Sequence, residues 1–167
     1  MKMNGIVINE GEEFYTDLKA LFEAMGSSYK EYNWLITDYE CYPQEERLAE
    51  IFSGEPVFIS GQEIIDLLQI ENFQWIWGVF SAFDKCVKKE DVFKYDSPVS
   101  EENENIWKMP LSLQHPLSSI EIIAWDSSLT VIISKDEAVI STLMKNKDSS
   151  IKLEQFIEDE IESDGKD

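Results

Sequence analysis

The 167-residue chain is poor in the residues that nucleotide loops, metal sites and thiol chemistry draw on. Its seven glycines stand at positions 5, 11, 26, 54, 61, 78 and 165, and neither GxGxxG nor GxxxxGK[ST] can be written through them. That excludes a phosphate cradled by a glycine-rich loop. GxSxG is absent, and with it the strand-to-helix elbow that presents a nucleophilic serine. A single histidine, His115, two cysteines without CxxC spacing, and no DxDxDG loop leave no zinc or calcium signature. No cofactor and no metal are expected. Basic residues are scarce as well: 14 lysines and arginines face 34 aspartates and glutamates, a formal net charge of −20. Residues 1–83 carry −11 and residues 84–167 carry −9, so the excess is spread along the chain and not gathered in a tail. Such a surface repels nucleic acid and anionic membrane and steers cationic partners inward.

Long apolar runs are also missing. Nothing approaches the ~18 residues of a membrane span, and Gly5–Ile8 is too short for the apolar region of a signal peptide. Cys41 and Cys86 read as free, buried thiols of a reducing compartment, so the expected location is cytoplasmic.

What is present is a core. An apolar fraction of 43%, with 12% aromatic residues, argues against disorder despite the charge. The length suits one domain over residues 1–167 that buries about 70% of its unfolded surface. The segment around 96–106, nearly without apolar residues, reads as the longest exposed loop, and residues 162–167 as a frayed tail. In NFQWIWGVFSAFD, Asn72–Asp84, residues Phe73, Trp75, Trp77, Val79 and Phe83 alternate with Ile76, Gly78, Phe80 and Ala82. A strand apolar on both faces belongs in a sheet interior, covered on two sides.

The flanking segments supply the covers. Met3–Ile8 reads as a strand, followed by a helix opened by an Asn9/Glu12 capping box, with Phe14, Leu18, Leu21, Phe22 and Met25 on one side, and ended by Gly26. Tyr32–Tyr42 reads as a strand in which Tyr32, Trp34 and Ile36 share a face with Asp38 and Glu40. QEERLAEIF after Pro43 is a short helix. A strand near Val57–Ile59, a helix capped by Ser60 and Glu63, and the central strand follow in a βαβ-like order. Ile120–Trp125 and Leu129–Ile133 form a hairpin across Asp126-Ser127-Ser128. Ser134 and Glu137 box the start of a helix burying Val139, Ile140, Leu143 and Met144, and a last helix covers Ile151–Ile161 with Leu153, Phe156 and Ile157 inward. The expected fold class is α+β: a central mixed sheet of about five or six strands with helices packed on it.

Catalysis has little to stand on. Cys41 or Cys86 with His115 and Asp126 forms no local signature of an activated thiol, and His115 reads as a hydrogen-bonding loop anchor. Asp38 and Glu40 at i, i+2 on a strand would sit about 7 Å apart, near the separation of glycosidase carboxylates, but no apolar pocket surrounds them. The chain is therefore expected not to be an enzyme. Binding is better supplied. Tyr32, Trp34, Tyr39 and Tyr42 intermixed with Asp38, Glu40, Glu45, Glu46 and Glu50 make a set of aromatic anchors ringed by carboxylates, suited to a basic surface.

The stretch HPLSSIEIIAWDSSLTVIISKDEAVISTL, His115–Leu143, resembles a group of small acidic bacterial proteins, some of which are similar to the immunity proteins encoded beside polymorphic toxins. The shared features are a strand ending in Trp-Asp-Ser-Ser, a return strand and a Ser-Lys-Asp-Glu helix start. The resemblance implies an intracellular inhibitor that masks a basic toxin or nuclease domain, and it transfers no functional residue. The expected function is thus an acidic protein-binding module that neutralises such a partner and takes neither nucleic acid nor membrane. The alternatives are a mimic of nucleic acid, with carboxylates in two phosphate-like lines, and a hydrolase using a carboxylate pair.

Overall fold

The computed structural model describes residues 3–11, 14, 16–54 and 56–164. Seven strands lie in one sheet: β1 (Asn4–Ile8), β2 (Tyr32–Cys41), β3 (Val57–Ser60), β4 (Trp75–Asp84), β5 (Ile120–Trp125), β6 (Leu129–Ser134) and β7 (Ile151–Lys152). Their spatial order is β3-β2-β4-β5-β6-β1-β7. Every pairing is antiparallel, so the expected mixed sheet of five or six strands is corrected to an antiparallel one of seven. Among the described residues six α-helices accompany it: α1 (Leu18–Ala24), α2 (Glu46–Ile51), α3 (Gly61–Ile70), α4 (Lys89–Val92), α5 (Glu137–Asn146) and α6 (Leu153–Asp164). The βαβ-like order is real but split. β3 and β4 flank β2, each antiparallel to it, so they run parallel to each other with α3 as the crossover.

The two faces have different covers. Even-numbered positions Ile6, Trp34, Ile36, Phe80, Ala82, Ile120, Ile122 and Ile132 meet Leu18, Leu21, Phe22, Leu48, Ile64, Leu68, Ile140 and Leu143 in the main core, so α1, α2, α3 and α5 share one face. On the other face Val7, Val79, Ile123, Val131 and Ile133 pack against Ile106, Leu111, Leu153 and Ile157. That cover is α6 together with the irregular segment between β4 and β5. A smaller cluster of Leu35, Phe83 and Val92 completes this face.

Alternation does not survive to the ends of the longest strands. β2 and β4 keep regular register from Tyr32↔Asp84 to Thr37↔Val79, then shift between Thr37 and Glu40 and again between Glu40 and Cys41. Asp38 takes a φ of 47° at the first break, a left-handed conformation that aspartate tolerates. The expected single face Phe73–Trp75–Trp77–Val79–Phe83 is therefore broken. Trp75 joins Phe73, Phe52 and Phe80 under the helices, while Trp77 stands against Trp125 on the opposite face.

Side-chain caps open three of the helices, α1, α3 and α5. The Ser60/Glu63 box is complete: Ser60 Oγ accepts from Glu63 N at 3.1 Å, and Glu63 accepts from Ser60 N at 3.1 Å. The other two boxes are corrected. α1 begins at Leu18 with Asp17 as its cap, accepting from Ala20 N, while Glu12 of the expected Asn9 box lies outside the described residues. α5 is capped by Asp136, which accepts from Ala138 N; Ser134 ends β6 and accepts from Asp136 N. Of the segment expected to fray, residues 162–164 are helical and residues 165–167 lie outside the described residues. The segment at 96–106 has exposed residues but is no free loop, since Pro98, Ser100 and Ile106 are buried in it. Cys86 is exposed, against expectation, and Cys41 half-buried; both are free thiols.

Tyr32 and Trp34, expected at a binding surface, are core residues. Trp34 is fully buried, packs at a tilt against Phe22, and donates from Nε1 to the Tyr29 carbonyl at 3.0 Å; Tyr32 is 8% exposed. Truncation of Trp34→Ala is expected to lower the unfolding free energy by about 3–5 kcal/mol, read from urea denaturation followed by circular dichroism.

Candidate functional site

Among the described carboxylates, ion pairing is almost absent. One salt bridge forms between described residues, Lys94 Nζ to Asp91 at 2.8 Å, both exposed, and it holds the Asp91 carboxyl below its ordinary value and the Lys94 ammonium above. Several carboxylates instead serve the chain's own backbone. Glu71 accepts from Gln44 N and Glu45 N and so fastens the start of α2. Asp38, expected to meet a partner, accepts from Ser100 N at 2.8 Å, Glu101 N at 3.0 Å and Ser100 Oγ at 3.3 Å. With Thr37 Oγ1 donating to Pro98 O at 2.8 Å, the bulged end of β2 clamps the segment that crosses the sheet.

The remaining expected site residues divide. Tyr39 is half-buried, set edge-on to Phe52 and Trp75, and its hydroxyl accepts from Gly54 N at 3.3 Å. Tyr42 is 67% exposed and donates to Glu40 at 2.9 Å, a bond to carboxylate that raises the Tyr42 phenol above its ordinary value. Glu45, Glu46 and Glu50 are exposed on and beside α2. The expected patch thus shrinks to Glu40, Tyr42, Glu45, Glu46 and Glu50. Asp38 and Glu40 do not act as a pair: the register shifts between Thr37 and Glu40, Asp38 accepts from the Ser100 and Glu101 amides, and Glu40 accepts from the Tyr42 hydroxyl.

The thiol arrangement does not assemble either. Cys41 packs with the helix-covered core and burial pushes its thiol up to about 12, far from a reactive thiolate. His115 sits in the other cover, 1% exposed, its ring against Phe83 and Tyr95. Its Nδ1 accepts from Leu117 N at 3.1 Å, which leaves the proton on Nε2, 2.9 Å from the Val92 carbonyl. Both nitrogens hold backbone, as a loop anchor does. Among the described residues no group of three or more His, Cys, Asp or Glu side chains is placed to hold a metal ion.

Two features escaped the sequence reading. The first is Glu121, 1% exposed near the start of β5, where it stands between the two apolar clusters of the second face. Gln114 reaches it twice, from N at 2.8 Å and from Nε2 at 2.9 Å, and no described lysine or arginine pairs with it. Burial pushes the Glu121 carboxyl above its ordinary value, with the Gln114 donors pulling less strongly the other way. Gln114 also accepts from Val99 N, so Glu121 anchors the crossing segment to the sheet. Its only sequence signal is a charge inside the apolar run Ile120–Trp125.

The second is a groove of about 500 Å³ on the same face, at the edge where α6 overhangs the β5–β6 turn. Trp107, Trp125, Leu129, Phe156 and Ile157 line its floor and walls, and Glu104, Glu160 and Asp164 stand at its rim with Ile161. Trp125 meets Trp77 edge-to-face at 5.0 Å and Trp107 at 5.1 Å, and Trp107 meets Phe156 at 5.6 Å. The turn beneath is held by Ser127 N donating to the Ile76 carbonyl at 3.1 Å, with Asp126 and Ser127 both left-handed.

No protein-family model, no curated protein and no solved structure matches this chain. No helix among the described residues is long and apolar enough to cross a membrane.

Two outcomes follow from the clamp and the buried acid. Asp38→Ala is expected to speed hydrogen exchange at the Ser100 and Glu101 amides, with Asp38→Asn, which keeps an acceptor and tolerates the left-handed backbone, close to wild type. Because the folded Glu121 carboxyl binds its proton more tightly than the unfolded one, its contribution to stability is full below the unfolded value and is lost as pH rises through the folded one. Urea unfolding is therefore expected to show wild type losing stability relative to Glu121→Gln as pH is raised from 4 to 8.

Proposed function

We propose that the protein is an acidic binding module that captures and masks a basic protein, such as a toxin or nuclease domain. The observation that carries this reading is the state of its charges. With 34 acidic side chains against 14 basic ones, a single ion pair forms between described residues, and the exposed acids on α2 and α6 face solvent without neutralising partners. Self-repulsion on this scale opposes the compact state, and docking of a cationic surface relieves it. The resemblance of His115–Leu143 to immunity proteins supports the same reading.

The face of the sheet that carries the groove also supports it. There Glu40 stands opposite Trp77 in the β2–β4 ladder, next in line to Trp125 and Trp107, so acids and indoles share one surface. Aromatic anchors amid carboxylates fit lysine and arginine better than any anionic ligand.

Titration against a basic nuclease domain is expected to give binding that weakens about tenfold or more between roughly 50 and 200 mM salt, with loss of nuclease activity in the complex. Binding that ignores salt, or no binding to any basic protein tested, overturns the reading.

A further inference from the structure

Helix α6 is longer than the sheet it covers. Leu153 and Ile157 are buried against β1, β6 and their neighbours, and Phe156 packs beside them. The same stripe, continued at helical spacing, reaches Glu160, Ile161 and Asp164, which have no sheet beneath them. Ile161 is 66% exposed, among the most exposed large apolar residues described. The stripe thus ends as one wall of the groove. Across from it stand Trp107, from the 3-10 turn Glu104–Trp107, and Trp125, at the end of β5.

Three properties of this groove point to one kind of occupant. Its two indoles, Trp107 and Trp125, meet edge-to-face at an interplanar angle of 80° and are half-buried, so aromatic surface stays open to the groove. Every charged residue lining it is acidic, Glu104, Glu160 and Asp164, and none of the three takes part in an ion pair with another described residue. Its volume of about 500 Å³ suits an inserted side chain with its neighbours, well above what a single water or ion fills. A planar guanidinium meets all three conditions. It stacks on an indole face, donates in a fork to carboxylates, and sheds water more readily than an ammonium.

We infer that this groove receives an arginine side chain of the basic partner, stacked against Trp107 and Trp125 and held at its head by Glu160 and Asp164. This deepens the proposed function and rests on it: the module grips through the groove, and the acids of α2 contribute only general attraction.

The test uses hexa-arginine and hexa-lysine peptides titrated into the full chain, read by tryptophan fluorescence and by the indole N–H signals in NMR. Hexa-arginine is expected to bind more tightly than hexa-lysine and to shift the Trp107 and Trp125 indoles while leaving the buried Trp34 and Trp75 signals in place. The surface variant Glu160→Lys/Asp164→Lys, which leaves the core untouched, is expected to weaken hexa-arginine at least tenfold. Trp107→Phe is expected to weaken it several-fold. The control Glu45→Lys/Glu46→Lys carries the same change in net charge and is expected to stay within about threefold of wild type. Equal loss in the two charge-reversed proteins, or indole signals that do not move, overturns the groove as the site and leaves the acidic module standing. Failure of the wild type to bind either peptide, or a basic nuclease domain, overturns both.

Discussion

The structure depends on the pairing of β2 with β4 and on the point where that pairing breaks. Up to Thr37↔Val79 the two strands run in regular register and bury Trp34, Ile36, Phe80 and Ala82 under the helices. A side-chain period of two means that one extra residue moves everything beyond it to the opposite face. The break at Asp38, answered by a second irregularity opposite Trp77, does this on both strands. Tyr39 and Trp75 go under the helices, and Trp77 goes to the other side, where it seats Trp125. The bulge therefore divides the aromatic residues of this end of the sheet into a core set and a surface set.

The same break fastens the second cover. With Asp38 in the left-handed region, its carboxylate collects the amides of Ser100 and Glu101, and Thr37 holds Pro98. Farther along, Gln114 joins Val99 to Glu121, and His115 joins Val92 to Leu117. An irregular segment that covers a sheet face must satisfy its own backbone polar groups, since no ladder does so for it. Buried Glu121 meets that need at the cost of its own desolvation, and the result is a shelf tied to the sheet that carries Trp107 beside α6. Acidic side chains thus take several structural roles: Asp38 and Glu121 replace a ladder for the crossing segment, Asp17, Glu63 and Asp136 cap helices, and others stand exposed on α2 and α6.

Much of this was legible along the chain, and the residues show why. Ser60 and Glu63 cap α3 because their reach is three residues and needs no tertiary partner. Asp126-Ser127-Ser128 turns the hairpin for the same local reason, and Leu48, Ile64, Ile140 and Leu153 face inward because helical spacing alone aligns them. His115 was legible as a loop anchor from its place before a strand. Which of the expected binding residues reach solvent was legible only in part. Trp34 and Glu45 look alike as members of an aromatic and acidic stretch, but one lies beneath α1 and α3 and the other at the start of α2 in solvent.

The sequence by itself determined the α+β class, the Ser60/Glu63 cap, the hairpin turn, the buried helix stripes and the acidic excess, since each is set by spacing, local hydrogen bonding or composition. Only the tertiary structure decided that the sheet is antiparallel with seven strands, that Asp38 and Glu121 hold the crossing segment, and that Trp107, Trp125 and Phe156 meet beneath an acidic rim. Asp38 lies 62 positions from the Ser100 it holds, and Trp107 lies about fifty from Phe156. Their meeting depends on strand order, on a one-residue slip in register and on the length by which a helix outruns its sheet. None of these leaves a periodic mark in the chain.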